Sequence, residues 1–240
     1  MRTTLLLIGT LSLCALQQPC AADAIAPQPF TATYQVSYRG FGAGTLRMQL
    51  LRDPQTGQYI FETRANPSML ARVVVSRNAL ERSVMEVTGD GVRPLQWQAD
   101  DGKSGNKGDG ALAFDWSQQA VSGEYQGAPV ALSTQPKLQD RQSIQIQVMT
   151  DLMRGKEPGA VPLISDDTIR EYSYTRGTTA SLDTKLGKLD TVIYESTRPG
   201  SSRVSRVWHA PSLGYVPVRA EQVRKGKVET VMTLISLDRQ

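Results

Sequence analysis

The chain has 240 residues, a net charge of +4, two cysteines and a single histidine. One histidine excludes the two- and three-imidazole centres on which most zinc chemistry is built. The charge is uneven: from Arg198 onward eight cations (Arg198, Arg203, Arg206, Arg219, Arg224, Lys225, Lys227, Arg239) face three anions (Glu221, Glu229, Asp238), so this quarter holds all of the excess.

The opening "MRTTLLLIGTLSLCALQQPCAADA" places Arg2 before an apolar run to Leu16 and ends in small residues, Ala22-Asp23-Ala24. This is the pattern of a cleavable signal peptide over residues 1–24. Its apolar run is far shorter than the roughly 18 to 20 residues a membrane span needs, and no later segment is longer. Cys14 and Cys20 are preceded by Leu13 and Pro19 rather than by small residues, which argues against lipid anchoring. The expectation is an exported, periplasmic protein whose residues 25–240 form a single β-rich domain without thiols or disulfides. Export argues against nucleic acid as a partner.

"FTATYQVSYRG" sets Phe30, Ala32, Tyr34, Val36 and Tyr38 at every second position, the alternation of a half-buried strand. A glycine-rich turn at Gly40 to Gly44 leads to "TLRMQLLR", and "DPQTG" turns the chain into "QYIFETRA", so three strands form a meander. The segment "SMLARVV" is ambiguous between a loop and one helical turn. Strands follow near residues 79–88 and 92–98, then a polar loop, "QADDGKSGNKGDG", and a strand pair in "ALAFDW" and "AVSGEYQG".

One helix is predicted, in "LQDRQSIQIQVMTDLMRG". Ile144, Val148 and Leu152 recur every four residues, Asp140 is the N-cap, and Arg154-Gly155 with Pro158 forms the stop. The pattern predicts an amphipathic helix rather than one buried all round, with Ile146 and Met153 outside the apolar stripe. Strand patterns resume in "TIREYSYTRG", "GKLDTVIYEST", "SRVSRVWHA", "VPVRAEQVR" and "KVETVMTLISL", the last two joined by a tight turn at Lys225-Gly226. The fold expected is mainly β: a curved antiparallel sheet or open, incomplete barrel of about ten strands, with the inserted helix against its concave side.

Compact chemical motifs are missing. His209 shares a strand face with Val207, opposite Trp208, and no Gly-x-Ser-x-Gly elbow nominates a nucleophile to accompany it. A structural role is expected for it, and no catalytic residue is assigned. Gly102-Lys103-Ser104 imitates the end of a phosphate loop, but Trp97 stands where the first glycine belongs. Asp100, Asp101, Asn106 and Asp109 do not have calcium-loop spacing, so no metal or cofactor is expected. Asp166, Asp167 and Glu171 could do acid/base work on an envelope polymer, but neighbouring strand residues point to opposite faces, and a turn accounts for the pair more simply.

Trp97, Trp116, Tyr174, Tyr194 and Trp208 fall in strands. They are the expected lining of any groove the sheet leaves open to an apolar ligand. Arg203, Arg206, Arg219, Arg224, Lys225 and Lys227 are the expected contacts for an anionic headgroup or partner.

The C-terminal half, with Leu186-Gly187-Lys188, Trp208 and Pro217-Val218-Arg219, resembles the bacterial exported family of domain of unknown function 3108. "FTATYQVSYRGFGAGTLRMQL" is similar to that family's opening. The resemblance implies a β-rich envelope protein and brings no activity, cofactor or active-site residue with it. Binding or carriage of an apolar or amphipathic envelope molecule, such as a lipid, is the leading expectation, ahead of an assembly protein that docks an envelope partner. Enzymatic hydrolysis ranks third.

Overall fold

The chain starts its folded course in the middle of a sheet and works outward. In the computed structural model, which describes residues 25–105 and 107–239, β1 (Phe30–Tyr38) lies between β2 (Phe41–Arg52) and β14 (Lys227–Arg239). The meander continues through β3 (Tyr59–Pro67), β4 (Leu80–Thr88), β5 (Gly91–Asp100), β6 (Gly110–Asp115) and β7 (Ala120–Tyr125) to β8 (Ala128–Ser133) at one edge. The chain then crosses to the opposite edge through α1 (Ser143–Met153). It returns inward by β9 (Ala160–Ser165), β10 (Thr168–Thr184), β11 (Gly187–Thr197), β12 (Arg203–Ala210) and β13 (Val216–Arg224) to β14. The predicted signal peptide and both cysteines lie outside the described residues.

The sheet is antiparallel throughout and is not closed, since edge strands β8 and β9 do not pair with each other. It has fourteen strands among the described residues, against the expected ten or so. Two that the alternation did not reveal, "APVALS" and "AVPLIS", are the two edges, and each contains a proline. Proline cannot donate to a ladder and is tolerated where one side of the strand is free. The same rule explains Pro94 and Pro217, which sit beside register shifts in the β4–β5 and β12–β13 pairs. At the β13–β14 turn, Lys225 and Gly226 both adopt positive φ, 49° and 74°, as a two-residue hairpin loop matching the strand twist requires.

The helix departs from expectation. Eight of its eleven residues are buried: Ser143, Ile144, Ile146, Gln147, Val148, Met149, Thr150 and Leu152. Ile144, Val148 and Leu152 pack on Val161, Leu163 and Tyr194 from the β9–β11 arm. Ile146 and Met149 face the other way, into the central core with Tyr34, Leu50, Phe61 and Met85. The helix crosses the concave side between two arms of the sheet, so it is apolar on both flanks rather than on one stripe. A separate core of Trp97, Leu112, Phe114, Val121, Val130 and Leu138 fills the β5–β8 arm and receives Ile164 from β9.

Asp140, the expected N-cap, instead fastens the turn that leads into the helix from inside the core, two residues ahead of the N-cap Gln142. Its Oδ1 accepts the backbone N–H groups of Gln142 and Ser143 at 2.7 and 2.8 Å, its carbonyl accepts that of Ile144, and Ser83 Oγ donates to Oδ2 at 2.7 Å. At the other end Arg154 reaches the carbonyls of Ile25, Thr88 and Gly89, tying the helix terminus to the β4–β5 turn.

Truncating Ile146, which is wholly buried, to Ala should cost about 3 kcal/mol in urea denaturation, whereas Met153→Ala should cost far less. Burial pushes the Asp140 carboxyl up to about 6, against the hydrogen bonds that favour its charge. Its folded pKa therefore exceeds its unfolded one, and its contribution to stability is fully present below pH 4 and lost as pH rises through 6. Asp140→Asn, which stays neutral and keeps an acceptor for that turn, should be stabilised over wild type by about 1–2 kcal/mol at pH 7.5 and not at pH 4. Asp140→Ala should be destabilised at both pH values.

Candidate functional site

Between α1 and the inner face of β10–β14 the side chains do not meet, and a cleft of about 560 Å³ remains. Ile144 and Val148 of the helix form one wall. Tyr172, Tyr174 and Tyr194, from β10 and β11, form another, and Val207, Ala220 and Met232 give the floor. Strand pairing sets the floor in register, since Val207 lies opposite Ala220 and Ala220 opposite Met232. Alternation then puts Ser205, Gln222 and Thr230 one step outward on the same face, where they line the mouth.

His209 and Pro217 lie at the inner end. The imidazole is 4% exposed and sits edge-on to the Tyr194 ring at a centroid distance of 6.3 Å. Its Nδ1 donates to the Tyr215 carbonyl at 2.9 Å, which leaves Nε2 as the unprotonated nitrogen. Burial lowers its pKa to about 4, partly offset by that hydrogen bond. The histidine is thus a neutral wall residue of the cleft held by a backbone carbonyl.

Of the five aromatic residues singled out in the sequence, Tyr174 and Tyr194 line the cleft. Tyr194 donates to Glu157 at 2.5 Å, and burial together with that carboxylate pushes its phenol up to about 12. Trp208 occupies the opposite face of β12, between the guanidinium groups of Arg206 and Arg219 at 5.9 and 5.6 Å from its ring. Trp97 is buried in the β5–β8 arm, with its indole N–H on Glu81 at 2.8 Å and Arg141 over its ring. Trp116 lines a separate depression of about 460 Å³ and donates to the Pro94 carbonyl.

The six cations also divide. Arg206 is paired with Glu195 at 2.6 Å and Arg219 with Glu221 at 2.7 Å, which commits both charges. Arg203, Arg224, Lys225 and Lys227 are exposed. Arg203 lies directly opposite Arg224, and Arg224 opposite Lys227, so three strands set three like charges side by side. Such pairs oppose folding. The row stands two residues beyond the mouth along β12 and β13, on the face from which Ser205 and Gln222 project. Glu229 lies nearby, held below the usual carboxylate range chiefly by its hydrogen bond from Arg39, with Arg224 and Arg203 adding to it.

Asp166, Asp167 and Glu171 do not converge on the cleft. Asp166 occupies a turn with φ of 69° and pairs with Arg141 at 3.1 Å, while Asp167 accepts from Thr168. Asp100, Asp101 and Asp109 bring carboxylate oxygens within 4.8 Å of one another, but each accepts a loop N–H, from Gly102, Lys103 and Asp101 respectively. The apolar cleft residues that sequence reasoning did not single out are mostly aliphatic, Met48, Ile144, Val148, Leu163, Val207, Ala220 and Met232, together with Tyr172. Alternation marks them as inward-facing without telling packed positions from open ones.

An open, curved antiparallel sheet around a transverse helix, with an apolar cleft and a row of cations beyond its mouth, defines a mainly β fold. The chain belongs to the family described as protein of unknown function (DUF3108), whose model matches residues 33–233. No curated protein matches it. Among solved structures it is similar to MucB in the Pseudomonas aeruginosa MucA/MucB complex, at 11% identity over 88% of this chain and 51% of that chain, with a TM-score of 0.36. A Bacteroides fragilis protein described as exported, with a YmcC-like fold, is 13% identical over 92% of this chain and 100% of its own, with a TM-score of 0.37. A Parabacteroides distasonis protein described as a lipoprotein is 10% identical over 92% and 100%, with a TM-score of 0.36. The chain spans about half the length of MucB.

Because His209 titrates near 4 when folded and near 6.5 when unfolded, the unfolded chain binds more protons between those values. Its contribution to stability is present above pH 6.5 and is lost as pH falls through 4, an effect of about 3 kcal/mol. His209→Asn, which keeps a donor for Tyr215, should remove that part of the acid sensitivity in urea titrations at pH 4, 5.5 and 7.

Proposed function

We propose that the protein binds an amphipathic, anionic molecule of the bacterial envelope, with the apolar part in the cleft and the charged head at Arg203, Arg224 and Lys227. The leader pattern in residues 1–24 supports a periplasmic location for this activity. The observation that carries the proposal is the shared face: an apolar floor of Val207, Ala220 and Met232 runs outward through Ser205, Gln222 and Thr230 toward three uncommitted cations. The volume lies within the range of about 300–1,000 Å³ common for small-molecule sites.

The chemistry of each part fits that division. Apolar chain burial against Val148, Leu163, Met48 and the tyrosine rings supplies affinity without direction. Three side-by-side cations supply the preference for negative charge, and a bound anion would relieve their mutual repulsion. Tyr174 and Tyr194 serve as apolar walls, and Lys225 as a further cation at the hairpin tip. The second reading is an assembly protein that docks an envelope partner through a sheet edge or the basic face, and the unfilled cleft is the observation that puts ligand binding ahead of it.

The test is delipidation followed by titration with a fluorescent phosphatidylglycerol analogue and a zwitterionic counterpart. Val207→Trp, which fills the cleft, should weaken both by at least about tenfold, or 1.4 kcal/mol. Arg224→Glu with Lys227→Glu should weaken only the anionic probe. Absence of uptake by the wild type, together with no co-purifying lipid by mass spectrometry, would overturn the proposal.

A further inference from the structure

The end of the sheet that carries the cationic row also carries the apolar side chains that the fold leaves uncovered. Ten large apolar residues are exposed among the described residues, and eight of them lie on the strand ends and connections at this end: Tyr38, Phe41, Met69, Leu70, Val73, Val74, Val75 and Val228. Phe41, Met69, Leu70, Val73 and Val74 are the most exposed, at 72–84%. Scattered exposed apolar residues need no explanation, but a concentration at one end of a molecule does.

These turns are braced against one another. Ser68 donates its N–H to the Ala43 carbonyl at 2.9 Å and its hydroxyl to that of Gly42 at 3.1 Å, fastening the β3–β4 connection to the β1–β2 hairpin. Gly44, with φ of 120°, permits this approach, because a Cβ there would lie 2.3 Å from the Asn66 carbonyl oxygen. Arg39 joins the β1–β2 hairpin to the β13–β14 hairpin through its N–H on the Glu229 carbonyl and its guanidinium on the Glu229 carboxylate, both at 2.6 Å. Farther out, Ser76 bonds the Gly102 carbonyl and Lys103 the Val74 carbonyl.

Cations surround the apolar tips. Arg203, Arg224, Lys225 and Lys227 stand on one side, and Arg72 and Arg77 lie within the β3–β4 connection itself. The acidic groups at this end are engaged locally: Glu229 by Arg39, and Asp100, Asp101 and Asp109 by loop N–H groups. Protruding apolar side chains on short turns, set beside basic groups, are suited to the boundary between anionic headgroups and acyl chains, where apolar tips insert and cations stay with the phosphates.

From this juxtaposition we infer that the end formed by the β1–β2, β3–β4 and β13–β14 connections docks on the surface of an anionic lipid bilayer. The inference rests on the exposed turns and not on the cleft, and it stands whether or not the cleft binds a lipid. Docking would set the cleft mouth, two residues from Arg203 and Arg224, beside the membrane.

The experiment is vesicle flotation of the protein with phosphatidylcholine vesicles lacking phosphatidylglycerol or containing about 30% of it, which makes the surface anionic, at low and moderate salt. Binding is expected only with phosphatidylglycerol, and it should weaken as salt rises. Phe41→Ser with Leu70→Ser and Val73→Ser should reduce the bound fraction about tenfold, and so should Lys225→Glu with Lys227→Glu. All five positions are exposed, and unchanged thermal unfolding would show that the variants fold. The cleft-filling Val207→Trp variant should float like wild type, which separates failure of this inference from failure of the ligand proposal. Wild type that fails to float, or turn variants that float unchanged, would overturn the inference. If wild type fails to float but the same turns cross-link to an envelope protein, the surface belongs to a protein partner and the bilayer inference is overturned.

Discussion

Five consecutive residues before and at the start of the helix hold the two arms of the sheet together. Leu138 fills the core of the β5–β8 arm. Gln139 exchanges backbone hydrogen bonds with β9, through Pro162 and Ile164, while its side chain donates to Val92 of β5. Asp140 binds Ser83 of β4, Arg141 bridges Glu81 and Asp166, and Gln142 accepts from Thr63 of β3. The β8 and β9 edges do not pair with each other, so this stretch does the work that closing hydrogen bonds would do in a barrel.

The helix and the cleft both follow from that fastening. A chain that leaves the sheet at β8 and must re-enter at β9 has to cross the concave side, and α1 is the crossing. Its Ile146 and Met149 flank fills the space above the central strands, and its Ile144 and Val148 flank faces the β9–β11 arm. The helix sits closer to β4 and β5 than to the strands that follow it. The unfilled volume is therefore on the C-terminal side, above β12–β14.

The polar groups inside this arrangement pull stability in opposite directions with pH. Asp140 is favoured when protonated and His209 when neutral, and both owe their shifts first to burial. Only His209 lines the cleft, and its bond to Tyr215 fixes the ring. The uncommitted charge is kept outside, on strand ends and hairpin tips, where water screens it.

Much of this was legible in the residues themselves. Period-two alternation marked β1 to β3 and the five C-terminal strands, because a half-buried strand repeats every two residues whatever it packs against. Asp140 announced the helix start, and Lys225-Gly226 the last hairpin, through local backbone chemistry. The edge strands "APVALS" and "AVPLIS" were hidden because their prolines suit an edge, and edge position is a property of the whole sheet. The helix pattern likewise could not tell one packed flank from two.

The candidate site divides along the same line. Tyr174, Tyr194 and the cluster of C-terminal cations were visible as residue types at strand spacing. That Trp208 turns away, that Arg206 and Arg219 are spent on Glu195 and Glu221, and that Arg203, Arg224 and Lys227 align were decided by strand register. Composition and periodicity are carried by each segment alone. Pairing, closure and the space left unfilled depend on segments far apart in the chain, as in the contact of Tyr34 with Pro217, 183 residues on, and exist only once the chain has folded.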